Sequence, residues 1–315
     1  MIELRHVTKR YGAKCAVDDI SVTIGEHQVV GFLGRNGAGK STTMNMITGY
    51  ISASEGQILL DGMDVLEQPR EVKRRIGYLP ELPPLYMDMT VDEYLRFCCD
   101  IKEVRRASRK AHLDDIYNLV RIENVKDRLI KNLSKGYKQR VGLAQALIGN
   151  PEVIILDEPT VGLDPKQIIE MRRLITGLGK SHTVILSSHI LSEVADVCDD
   201  VIIINQGHLV AHDSLKNLTN GIGDFNRTEV RIQGPEKPVS RLLHDIPGVK
   251  EVTSLGTKED GSFDFEIVSD LGVDIRRPMV NSVLSGGYSL LMLKPTDVTL
   301  EDIFLRLTSE EKGGI

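Results

Sequence analysis

The stretch Gly34-Arg35-Asn36-Gly37-Ala38-Gly39-Lys40-Ser41-Thr42 constrains this chain more than any other. It follows an apolar run, Val29 to Leu33, and precedes a segment, Thr43 to Thr48, that reads as a helix. A glycine-rich turn between a buried strand and a helix, closed by Lys and Ser, is a phosphate-binding loop. Its glycines let successive backbone N–H groups turn inward around phosphate oxygens. The helix behind it adds the positive end of its dipole. Gly34, Asn36, Gly37, Ala38, Gly39 and Thr42 form the cradle; Lys40 can reach the outer phosphates, and the Ser41 hydroxyl can bind Mg²⁺. The pattern predicts binding of a nucleoside triphosphate.

Alternation along the chain predicts an α/β fold with a parallel sheet. Strands are expected at Ile2–Val7, Ile20–Ile24, Gln28–Leu33, Gln57–Leu60, Val153–Leu156 and Val184–Leu186, with a closing hairpin over 201–210. Helices are expected from Ser134 to Ile148, Lys166 to Leu178 and Leu191 to Val197, and a mostly helical insertion from Glu81 to Lys131. Expected domains are 1–220, with a helical subdomain over about 82–150, and a smaller 224–315. The boundary falls at Asn220-Gly221-Ile222-Gly223-Asp224, and the β-α-β-β-α-β order after it is the ferredoxin-like pattern.

A net charge of −6 and 4% aromatic residues argue against a general nucleic-acid binder. Cys15, Cys98, Cys99 and Cys198 match neither a zinc site nor a secreted disulfide framework, so buried free thiols in a reducing compartment are expected. No signal-peptide pattern is present. No run approaches the ~20 apolar residues that span a bilayer, so a membrane role needs a partner chain.

A second motif, Val153-Ile154-Ile155-Leu156-Asp157-Glu158-Pro159-Thr160, ends a buried strand in two carboxylates, where α/β sheets place ligands. Asp157 suits Mg²⁺ at the phosphates. Glu158 suits polarisation of an attacking water. A third motif is Leu133-Ser134-Lys135-Gly136-Tyr137-Lys138-Gln139-Arg140; by itself it reads as an N-capped helix start.

Together these motifs resemble the ATP-binding subunits of ABC transporters over residues 2 to about 215. The LSGGQ-type signature stands here with Lys135 and Tyr137 replacing a glycine and a glutamine. The resemblance implies that Ser134 and Gly136 grip a phosphate, that Tyr11 stacks on adenine, and that Asp164 belongs to a loop touching an opposite subunit. It makes His189 a switch residue at the γ-phosphate. Glu81 occupies the usual Q-loop glutamine position and can still offer oxygen to Mg²⁺. Arg35 replaces a common proline and is expected to point outward. The segments 76–97 and 298–308 are similar to ATPases of type 2 exporters of the gliding-motility and multidrug-resistance kinds.

The resemblance further implies a homodimer with ATP at its interface, a polytopic permease as partner, no nucleic acid, and a peripheral position at the cytoplasmic face of the membrane. Two rivals are a soluble ABC ATPase acting on DNA, ribosomes or protein assemblies, and a C-terminal tail that senses a small molecule. The first usually carries paired cassettes or long coiled coils, which this sequence lacks.

Overall fold

The computed structural model describes residues 1–221, 225–270, 273–296 and 299–309. It contains two compact units, one built on Met1–Leu215 and one on Lys216–Arg306. Of the expected boundary, Ile222, Gly223 and Asp224 lie outside the described residues, as does Val298.

The first unit opens with β1 (Ile2–Tyr11) and β2 (Lys14–Ile24), which pair antiparallel. Both are longer than their alternation predicts, because register shifts and the left-handed residues His6 and Asp19 interrupt the period of two. With β4 (Glu55–Leu60) and β5 (Met63–Asp64) they form a sheet of order β2-β1-β4-β5.

The second sheet positions the site. Its members are β3 (Val29–Leu33), β6 (Ile76–Leu79), β7 (Val153–Asp157), β8 (Thr183–Ser187), β9 (Asp200–Asn205) and β10 (His208–Ser214). The order is β10-β9-β3-β8-β7-β6; all neighbours pair in parallel except the β9–β10 hairpin. β3, β7 and β8 are buried along their whole length, which is why they read as unbroken apolar runs. Phe32, Ile155, Ile185, Ile202 and Ile204 pack with Met44 and Ile47 of α1 (Lys40–Ile47). Each such side chain contributes about 1.5–3 kcal/mol on leaving water.

Elements without a counterpart in the sequence expectations include α2 (Pro69–Arg75) and β6. Pro69 takes the first turn of α2, where its missing N–H costs nothing. Gly77 lets β6 run against the α5 (Lys135–Leu147) backbone: a Cβ there would collide with the carbonyl of Ala146.

The insertion holds α3 (Val91–Ile101) and α4 (Arg109–Val120) ahead of α5. Thr90 and Glu93 cap α3 reciprocally, the Thr90 N–H donating to Glu93 Oε2 at 2.8 Å. α6 (Pro165–Leu178) and α7 (Leu191–Val197) follow β7 and β8. All four cysteines are free; Cys15 is half-buried rather than buried. Among the described residues, no helix is long and apolar enough to cross a membrane.

After α8 (Leu215–Gly221), the second unit comprises β11 (Phe225–Gln233), α9 (Glu236–His244), β12 (Val249–Gly256), β13 (Ser262–Asp270), α10 (Arg276–Ser285) and β14 (Ser289–Thr296). The antiparallel sheet has the order β12-β13-β11-β14, which is the ferredoxin-like arrangement. Val230, Ile232, Phe265 and Ile267 of the sheet form its own core with Val239 and Leu243 of α9 and Met279 and Val283 of α10. In α11 (Leu300–Ser309), Thr299 caps the start by accepting from the Asp302 N–H at 3.2 Å. Arg227 reaches Asp302 at 3.1 Å from the sheet.

Candidate functional site

Parallel pairing puts the ends of β3, β8 and β7 side by side at one edge of the sheet. The loop after β3 is the phosphate loop. A Cβ at Gly34 would lie 2.6 Å from the Ile204 carbonyl, so only glycine fits there. Gly39 has φ 109°, and its Cβ would lie 2.7 Å from the Ala16 carbonyl. Ala38 is pinned twice: its N–H donates to Arg35 O at 3.0 Å, and its carbonyl accepts from Gly207 N at 3.0 Å. Arg35, Asn36, Gly37 and Ser41 are exposed, and Thr42 is half-buried.

Lys40 is 7% exposed, and its Nζ donates to Gly34 O at 2.6 Å. Burial holds its pKa below the usual lysine value, while the charges of Glu158 and Asp157 pull it back up. A buried ammonium held by carbonyls beside a glycine cradle fits an anionic ligand.

Asp157 stands in register with Ser187, whose hydroxyl donates to Asp157 Oδ1 at 2.5 Å. Glu158 follows in the left-handed region, φ 50°, with its N–H donating to Ser187 O at 3.0 Å. A non-glycine residue held there costs about 1–3 kcal/mol, and such strain clusters at functional sites. His189 Nδ1 lies 2.8 Å from Glu158 Oε2. Burial raises the Glu158 pKa, and the His189 bond together with the Lys40 charge opposes that rise. The structure thus brings together Lys40, Asp157, Glu158 and His189.

A second corner forms at the start of α5. Ser134 is its N-cap, accepting from the Tyr137 N–H at 3.4 Å. A Cβ on Gly136 would fall 2.5 Å from Gln167 Oε1. Gln167 and Asp164 cap α6 reciprocally, the Gln167 N–H donating to Asp164 Oδ1 at 2.9 Å. Lys135 lies against Gly162. An open groove of about 780 Å³ beside this corner is lined in part by Asn124, Tyr137, Asp164 and Gln167. No hydrogen bond among the described residues joins Ser134, Gly136 or Asp164 to the Lys40 cluster.

Tyr11 is 51% exposed, with Lys9 Nζ 5.3 Å from its ring centroid. Glu81 is exposed, and among the described residues no hydrogen bond ties it to Ser41 or Asp157. An apolar groove of about 880 Å³ opens beside it, lined by Tyr50, Leu82, Pro84 and Ile101 with Arg70 and Arg74 at its margin.

Sequence reasoning missed Gln167 and the pairing of Thr160 with Glu193, which join segments more than thirty residues apart. It gives no sign that the Ser187 hydroxyl holds Asp157.

The chain is similar to known proteins. The family described as "ABC transporter" matches residues 17–161. A bacitracin transport ATP-binding protein of Bacillus licheniformis is 34% identical over 98% of this chain and 97% of its own length. A linearmycin resistance ATP-binding protein of Bacillus subtilis is 30% identical over 98% of both chains. The solved structure of a dimeric ATP-binding cassette in a post-hydrolysis state, bound to ADP and phosphate, superposes with a TM-score of 0.62. It is 25% identical and covers 68% of this chain and 99% of that one.

Proposed function

The chain belongs to the family of ABC transporter ATP-binding subunits, and on that premise we propose that it drives export as a homodimeric ATPase clamp beneath a membrane permease. One observation carries the reading. The ends of three adjacent parallel strands gather a phosphate cradle, Lys40, Asp157, Glu158 and His189, while Ser134, Gly136 and Asp164 form a separate corner.

Lys40 and the loop amides hold the outer phosphates of ATP. Water attacks the terminal phosphorus, the bond to the ADP oxygen breaks, and the water proton passes to Glu158. Burial makes Glu158 a stronger base than an exposed carboxylate, which suits it to that role. His189 steadies the charge that develops on the transferred group. Mg²⁺ would supply neutralising charge at the phosphates, and Ser41, Asp157 and Glu81 are the residues proposed to hold it. Tyr11 is exposed and can lie against adenine.

The partner's Ser134 corner closes the site, because its own chain leaves it apart from Lys40. The similar solved cassette is a dimer, which supports that arrangement. The apolar groove beside Glu81 offers a seat for a permease segment, and Tyr50 and Leu82, each 79% exposed, are its anchors. Export is supported by full-length similarity to proteins named for bacitracin transport and linearmycin resistance. The smaller domain expected from the sequence, 224–315, falls inside that similarity, and we read it as an accessory domain of this branch.

Glu158→Gln tests the proposal. The variant is expected to bind ATP, lose turnover and accumulate an ATP-dependent dimer in size-exclusion chromatography. Turnover at the unaltered rate would sink it.

A further inference from the structure

The contact between Glu158 and His189 is the exposed rung of a short ladder. Behind it, Thr160 Oγ1 donates to Glu193 Oε2 at 2.6 Å. Thr160 is two residues beyond Glu158, and Glu193 is four residues beyond His189. The second rung therefore joins the same two segments as the first. It is dry: Thr160 is 5% exposed and Glu193 4%.

A buried carboxylate is costly unless it is paired. Glu193 meets Arg172 of α6 at 3.6 Å, and the same guanidinium also binds Asp196. The Arg172 Nε is buried without a hydrogen-bond partner. That incomplete pairing is a poor device for stability alone, since an apolar trio would fill the space at less cost. It is well placed for another task. Arg172 lies two turns into the helix that Asp164 caps, so Glu193 touches both that helix and the loop beyond Glu158.

We infer that Glu193, through Thr160 and Arg172, is a positioning residue that sets the distance between Glu158 and His189 and links it to α6. The inference rests on the proposed roles of Glu158 and His189. A short, dry hydroxyl–carboxylate bond is a strong hydrogen bond and holds its two segments together. Without it, the exposed His189 ring loses the fixed partner across the gap.

The test compares Thr160→Ser, Thr160→Val, Glu193→Gln and Glu193→Ala by steady-state ATP hydrolysis. Thr160→Ser keeps the hydroxyl and is expected to keep the unaltered kcat. Thr160→Val and Glu193→Ala are expected to lower kcat roughly tenfold or more, with KM for ATP within twofold. Glu193→Gln keeps an acceptor for Thr160 but not the ion pair, and is expected to fall between. A merely structural role would not lower kcat while leaving KM for ATP in place, nor be rescued by Thr160→Ser. Unchanged kcat in folded Thr160→Val and Glu193→Ala would overturn the inference. Glu158→Gln is the control: if it retains turnover, the roles of Glu158 and His189 fail first.

Discussion

His189 Nδ1 and Glu158 Oε2 stand 2.8 Å apart, although 31 residues separate them in the chain. Adjacent parallel strands deliver both groups to one edge of the sheet. The carboxylate is mostly buried and the imidazole mostly exposed. One group is therefore tuned by burial, and the other remains free to meet a ligand.

That burial makes a pH-dependent prediction for the folded chain. A carboxyl whose folded pKa is raised favours folding below its unfolded pKa and loses that advantage as pH rises through the folded value. Glu158 ionised near neutrality thus costs stability. Glu158→Gln should melt higher than the unaltered chain at pH 7, by about 2–4 °C for each kcal/mol relieved. The gap should close as pH falls toward the unfolded value. Differential scanning calorimetry between pH 4 and pH 8 reads it; a gap that widens on acidification contradicts the assignment.

Lys40 makes the converse case. Its ammonium is buried and its pKa is lowered, so the charge opposes folding. Lys40→Met keeps the stem and removes the charge. The melting temperature should hold or rise, while ATP affinity falls about 10–100-fold. Isothermal titration beside a thermal melt separates the two effects.

Gly39→Ala should damage the cradle through the backbone. Its φ is 109°, and a methyl group there meets the Ala16 carbonyl. The expected cost is about 1–3 kcal/mol of stability, with ATP binding lost. Gly37→Ala is the comparison, because a methyl group at Gly37 meets nothing within 4 Å. Its φ of 82° still imposes strain, so it should lose less.

That the two carboxylates, the phosphate loop and His189 follow buried strands was legible, because the signal is local. Each sits at the end of an apolar run that betrays a buried strand. The ladder from Thr160 to Glu193 was not legible, because it depends on the register of β7 against β8 and on the way α7 leaves the sheet. β6 was hidden for a different reason. Ile76-Gly77-Tyr78-Leu79 carries a glycine that weakens strand signals. That glycine is present because the α5 backbone passes close by. Pro69 begins α2, although proline within a helical pattern more often ends one.

The second unit carries a separate core, so its stability should be separable. Phe265 is fully buried among Val230, Ile232 and Ile267. Phe265→Ala should destabilise that unit by about 3–5 kcal/mol in chemical denaturation. ATP turnover under native conditions should be retained, since no residue of the Lys40 cluster lies in that core. Loss of turnover in the folded variant would show that the second unit governs the ATPase.

Gly136 leaves a space that Gln167 fills, and Gln167 in turn completes the cap of Asp164. The start of α5 and the start of α6 are thereby fastened to each other within one chain. In the proposed dimer, a partner that met this surface would find its contacts already aligned. Little rotational freedom would be left to lose at the encounter, so more of the contact energy would go into drawing the two chains shut.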